Sequence, residues 1–190
     1  MAGETSPVNA PLSSQYTSWA PMENPFAVNA GKETNGGAMT TSVFFSTVPA
    51  LLKKKLRPII CIGERTEDRK AGVMYNVARF QLAAALFDVE IRDPGDIVVA
   101  YEPVWAIGTG NVATPQQAED MHEVIRQSLE KHFGIDTGSR VRILYGGSVN
   151  EDNIEGLIDK DQINGALIGG VSLDLDKFLS IINSIEKRER

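Results

Sequence analysis

A single cysteine, Cys61, stands among 190 residues, so no intrachain disulfide can form and no cysteine-rich metal site can be built. Histidine is nearly as scarce, with only His122 and His132. No apolar run approaches the roughly 18 residues that a membrane-spanning helix needs. Positive charge is in deficit as well. The net charge of −6 and pI of about 5.0 argue against non-specific binding to nucleic acid or to an anionic membrane. The opening "MAGETSPVNAPLSS" has neither a basic n-region nor an apolar h-region, so no secretory signal is expected there and a cytoplasmic location is.

Charge of either sign is missing from one stretch in particular. Between Asn9 and Ala50 the charged residues are Glu23, Lys32 and Glu33, amid many Ser, Thr, Pro, Asn, Ala and Gly. Pro11, Pro21, Pro25 and Pro49 would interrupt any long helix. "TTSVFFST" is the one strand-like run there, without an obvious partner. Residues 9–43 therefore read as irregular, and 1–47 as an N-terminal segment unlike the rest of the chain.

From Val48 onward the pattern is regular. "RPIICIG" (57–63), "DIVVAYEP" (96–103), "RVRILYGG" (140–147) and "GALIGG" (165–170) are short apolar runs ending in Gly, Glu or Pro. Continuous apolar character, rather than alternation, suits strands of a parallel sheet covered on both faces. Helical stretches separate them, at 66–90, 114–134, about 150–160 and 174–187. The clearest has Thr114 as N-cap, Pro115 at its first position and Gln117 completing a capping box. Its apolar stripe runs Ala118, Met121, Ile125, Leu129, and Gly134 stands where a terminating glycine would. Strand and helix alternating four times predicts right-handed βαβ units, either half of an eightfold α/β barrel or a small open sheet. Both architectures bind ligands at the C-terminal ends of their strands.

Those ends carry the candidate chemistry. In "YGGS" (145–148), Gly146 and Gly147 leave backbone N–H groups open to close approach and Ser148 adds a hydroxyl. Gly169 and Gly170 repeat the theme one strand later. Either pair alone is explained by a tight turn, whereas both together on successive strands point to an anion cradle. Glu102 follows "IVVAY", where partial desolvation makes a carboxylate a better base; the bland alternative is a structural ion pair. Behind it, "AIGTG" lies between "PVW" and "NVA", a segment suited to swing as a rigid lid. A base beside a phosphate site under a lid suggests proton abstraction from a small phosphorylated substrate, with water excluded from a reactive intermediate. Glu64, in "CIGE", is expected to pair with a nearby Arg, and Cys61 to be a small core residue. Both histidines are expected on the surface of the 114–134 helix, and "EKRER" is expected to be a solvated helix end.

"AYEPVWAIGTG", "TPQQA", "YGGSV" and "GALIGGVSL" resemble the triosephosphate isomerase family, and "RPIICIGE" resembles its fifth strand. The resemblance covers about residues 48–190 and implies an incomplete TIM (β/α)8 barrel of about four C-terminal βα units. It implies isomerase chemistry between dihydroxyacetone phosphate and glyceraldehyde 3-phosphate, with Glu102 as the proton-shuttling base. It makes Pro103, Val104, Trp105, Ala106, Ile107, Gly108, Thr109 and Gly110 parts of the lid. Gly108, Ser148, Gly169 and Gly170 become the phosphate cradle, and Tyr145 and Ser148 the latch that holds the lid by its backbone. No metal or organic cofactor is implied. "GETSPV" (3–8) resembles the loop that packs into a partner subunit, which implies a homodimer. The family's Asn-x-Lys strand and Gly-His-Ser-Glu-Arg motif have no counterpart, and the content of 9–47 is foreign to the family, as an altered reading frame or misjoined exons would make it. The competing reading is a half-barrel that keeps a phosphate cradle or an assembly surface without chemistry.

Overall fold

Apolar β-branched runs supply the centre of the molecule. In the computed structural model, which describes residues 41–107 and 111–188, three of them form a parallel sheet in the order β1 (Ile59–Ile62), β2 (Val98–Tyr101), β3 (Arg142–Tyr145). Register is uniform: Ile59 pairs with Val98 and Val98 with Arg142, and so on up to the row Ile62, Tyr101, Tyr145. The run at 165–170 does not extend the ladder. It touches β3 through one bridge, Tyr145 to Ala166, flanked by Tyr145 N–H to Gly165 C=O and Leu167 N–H to Tyr145 C=O. The expected fourth strand thus shrinks to a bridge. Its glycines supply few side chains to hold a pleat, and Gly165 adopts φ of 150°.

Helices follow each strand. α1 (Thr41–Lys53) precedes β1; α2 (Thr66–Lys70) and α3 (Met74–Ala85) follow it. α4 (Pro115–Phe133) and the short α5 (Ile135–Gly138) follow β2, and α6 (Ile154–Ile158) and α7 (Leu175–Arg188) follow β3. The stretch expected as one helix over 66–90 breaks at Gly72, whose φ of 70° ends α2. The "TTSVFFST" run, read as strand-like, lies largely within α1, and Pro49 sits inside that helix. Packing overrides propensity here, because Val48 and Leu52, one turn apart, both reach the core. Most of the 1–47 segment, including 3–8 and the first part, 9–40, of the stretch expected to be irregular at 9–43, lies outside the described residues; 41–43 belong to α1 instead.

α4 forms as its sequence predicts. Thr114 Oγ1 accepts the Gln117 N–H at 3.2 Å, and Gln117 Oε1 accepts the Thr114 N–H at 3.0 Å. Ala118, Met121, Ile125 and Leu129 are all buried, and Gly134 ends the helix with φ of 85°. Arg126 does what no apolar residue could. From within the core, its Nη1 donates to the carbonyls of Gly138 and Val141 and its Nη2 to Asn164 Oδ1, tying α4 to the entry of β3.

The two faces of the sheet differ. Ile60, Ile62, Val99, Tyr101, Ile143 and Tyr145 point into the helices and are buried. Ile59 and Cys61, on the opposite face, are exposed, as is Arg142 at the foot of β3. The expectation that the strands are covered on both faces therefore holds for β2 alone, which has a strand on either side. Cys61 is not a core residue for the same reason: it lies on an edge strand, exposed although Glu102 stands beside it.

These contacts rank two substitutions. Thr114→Ala removes one cap and should cost about 1 kcal/mol in urea unfolding. Arg126→Met strands two main-chain carbonyls and should cost about 3 kcal/mol, at roughly 1–3 for each unsatisfied group. An Arg126→Met midpoint as mild as that of Thr114→Ala would contradict this role.

Candidate active site at the strand ends

One step beyond the last paired row, Gly63, Glu102 and Gly146 come side by side. Glu102 N–H donates to Ile62 C=O at 2.7 Å, and Gly146 N–H to Tyr101 C=O at 2.8 Å. Both flanking residues must be glycine. A Cβ on Gly63 would overlap the Glu102 carbonyl, and one on Gly146 would lie 2.6 Å from Glu102 Cγ. Gly63 is further held by Gln81, which accepts its N–H at 2.8 Å and donates to its C=O at 3.0 Å. Gln81 escapes sequence reasoning: its one signal is a polar residue on the apolar stripe of α3. The Glu102 carboxylate is half-buried beside Cys61. Desolvation, then the Glu102 charge and a hydrogen bond to it, push the Cys61 thiol up to about 11.

The chain leaves Glu102 through Pro103 into a short 3-10 turn, Val104–Ala106. Its near end is held by Glu64, which is fully buried. Glu64 Oε1 accepts Trp105 Nε1–H at 2.7 Å, Arg69 Nη1–H at 2.9 Å and the Tyr101 hydroxyl at 3.1 Å. The Arg69 guanidinium also stacks 4.7 Å from the Trp105 ring. The expectation that Glu64 pairs with an Arg is met. Ser148 Oγ donates to Ala106 C=O at 3.0 Å, and Asn153 holds the Ser148 carbonyl in turn. Ala106 is buried, while Val104 and Ile107 are exposed. Gly108, Thr109 and Gly110 lie outside the described residues.

At the far end, the Tyr145 hydroxyl curls over Gly147, where a Cβ would overlap it. Burial raises the Tyr145 pKa and the adjacent Ala113 backbone lowers it. The bridge at Ala166 sets Gly169 and Ser148 each three residues beyond a paired position, on adjacent chains. Gly169 and Gly170 are exposed with open space where side chains would be, and Gly170–Leu173 forms a 3-10 turn. Among the described residues, no group of three His, Cys, Asp or Glu side chains could hold a metal, and no helix is long and apolar enough to cross a membrane.

His122 corrects an expectation. Rather than lying on the helix surface, it is fully buried, with Nδ1 3.2 Å from Gln162 C=O and its ring edge-on to Tyr101. Position on the buried stripe, one residue after Met121, was the signal. Burial pulls its pKa down to about 4. His132 is exposed, as expected.

Parallel strands, each followed by helices, with a carboxylate and paired glycines at their C-terminal ends, define a segment of an α/β barrel. A family model described as triosephosphate isomerase matches residues 38–185, and the chain belongs to that family. It is 48% identical over 142 residues to triosephosphate isomerase of Roseiflexus castenholzii, covering 75% of this chain and 56% of the relative. The Flavobacterium johnsoniae enzyme is 42% identical over 146 residues, covering 77% and 58%. The crystal structure of triosephosphate isomerase from Bartonella henselae superposes with a TM-score of 0.68 at 34% identity, over 77% of this chain and 57% of that one. The chain thus spans less than three fifths of the length of the curated relatives it matches.

Two measurements check this geometry. Because Cys61 is the sole thiol, its alkylation rate against pH reads its pKa directly. Glu102→Gln removes the nearby negative charge and should lower that pKa from about 11; an unchanged profile would place the two groups apart. For His122, the folded pKa of about 4 lies below the ordinary 6.5, so the unfolded chain binds the extra proton. The neutral state's stability is complete above pH 6.5 and is lost as pH falls toward 4, by about 3 kcal/mol at 1.36 per pKa unit. Arg126 on its own helix, Tyr101, Tyr145 and the Gln162 carbonyl are the groups facing it. His122→Gln should flatten that acid limb in urea titrations at successive pH values.

Proposed function

We propose that this chain carries the base and the phosphate-gripping part of a triosephosphate isomerase site. The observation that carries the reading is Glu102, set at the mouth of β2 between two obligatory glycines and followed at once by a segment latched through Ser148 and Glu64. In this role Glu102 takes a proton from the carbon beside the substrate carbonyl and returns it to the neighbouring carbon, interconverting dihydroxyacetone phosphate and glyceraldehyde 3-phosphate. Gly108, Gly169 and Gly170 offer backbone N–H groups to the phosphate. Ser148, its hydroxyl engaged by Ala106, offers its N–H as well. Residues 103–113 serve as the lid, and Tyr145 latches its far end at Ala113. The family reading carries with it a homodimeric assembly and a cytoplasmic location.

Charge development limits this chain. Proton abstraction leaves an oxyanion, and neither histidine can serve it: His122 is spent on Gln162 inside the helix layer, and His132 lies at the outer end of α4 near Val89. A positioned base contributes about 10²–10⁴-fold, and each missing oxyanion donor costs about 10²–10³-fold. Turnover of glyceraldehyde 3-phosphate by the purified chain should therefore fall at least a hundredfold or so below an intact family enzyme, and Glu102→Gln should abolish what remains. Ordinary rates, or residual turnover indifferent to Glu102→Gln, would overturn the assignment.

A further inference from the structure

Two buried polar atoms among the described residues, Glu64 Oε2 and His122 Nε2, have no hydrogen-bond partner, and the Tyr145 hydroxyl, whose oxygen lies against the Ala113 backbone, has none for its proton. Buried polar groups in folded proteins are almost always satisfied, and where protein atoms do not suffice an internal water commonly does so. The side chains that bear them gather around Tyr101. The rings of Tyr101 and His122 are 5.9 Å apart, Tyr101 and Tyr145 6.2 Å, and His122 and Tyr145 6.5 Å. Tyr101 in turn donates to the other oxygen of Glu64.

Their chemistry is complementary. His122 Nδ1 faces the Gln162 carbonyl, which only accepts, so Nδ1 carries the ring proton and Nε2 is left as an acceptor. Glu64 Oε2 is also an acceptor, whereas the Tyr145 hydroxyl has a proton to give. Two acceptors and one donor match the two protons and a lone pair of one water molecule, with the usual three partners. We propose that a single buried water sits between β2, β3 and α4, accepting from Tyr145 and donating to His122 Nε2 and Glu64 Oε2.

The water has a consequence for the segment after Glu102, which rests on the reading of 103–113 as a lid. Glu64 Oε1 grips Trp105 at the lid's near end, and Tyr145 abuts Ala113 at its far end. With its proton committed to the water, the Tyr145 oxygen turns a lone pair to the Ala113 N–H. His122 is then a positioning residue that joins the two anchors from behind, without touching substrate.

Water relaxation dispersion on the full chain tests this, since it counts waters with long residence times. Tyr145→Phe and His122→Leu should each lose one long-lived water relative to the unaltered chain. The same count in all three would overturn the proposal. Should either variant fail to fold, the unaltered chain decides alone: a nuclear Overhauser contact between a slowly exchanging water and the His122 ring proton beside Nε2 is expected, and its absence refutes the site. Neither readout uses turnover, so an inactive chain that keeps the water sinks the isomerase reading only, and an active chain without it sinks the water only.

Discussion

The row Gly63, Glu102, Gly146 is the constraint on which the site depends. Parallel pairing brings the three strands to the same height, and the pairing itself is set by the apolar rows below. At that height a carboxylate can lie down only if both neighbours lack a side chain, because the space of a Cβ is already taken by the backbone of Glu102 on one side and its Cγ on the other. Glu102 is placed by excluded volume, and hydrogen bonds refine its position. Close packing of this sort tolerates no compromise: one methyl group on either flank must displace a strand end or the carboxylate.

A second layer of control lies behind the sheet. Glu64, Tyr101, His122 and Tyr145, like Gln81 and Arg126, are buried polar residues in a largely apolar layer between strands and helices. Burying them costs free energy unless each is partnered, so their arrangement is narrowly determined. Glu64 collects three donors on one oxygen, and two of them, Trp105 and Tyr101, stand on either side of Glu102 in sequence. Forces on the segment after Glu102 are thereby passed to the core, and the short turn Val104–Ala106 has a rigid foot.

The open face of the sheet tells the opposite story. Ile59 and Cys61 project where a closed barrel would bury them, and the last run of the described chain joins by one bridge. A barrel removes its edges by closure; an incomplete one keeps them. The part that is described keeps Glu102, the Ser148 contact to Ala106 and the strand-end glycines.

Much of this was written in the residues themselves. The period of α4, its capping box and its closing glycine depend on neighbours a few positions apart, and local chemistry decides them. The strand-end glycines and the acid after an apolar run were legible for the same reason, as was the family, through "YEPVWAIGTG". Tertiary structure decided what depends on distant partners. It turned "TTSVFFST" largely into helix because Val48 and Leu52 found a core, reduced "GALIGG" to a bridge, sank His122 among tyrosines and left Cys61 in the open. Burial is a property of what packs on a residue from elsewhere in the chain, so a local pattern reveals it only where the residue sits on an apolar stripe, as His122 does beside Met121.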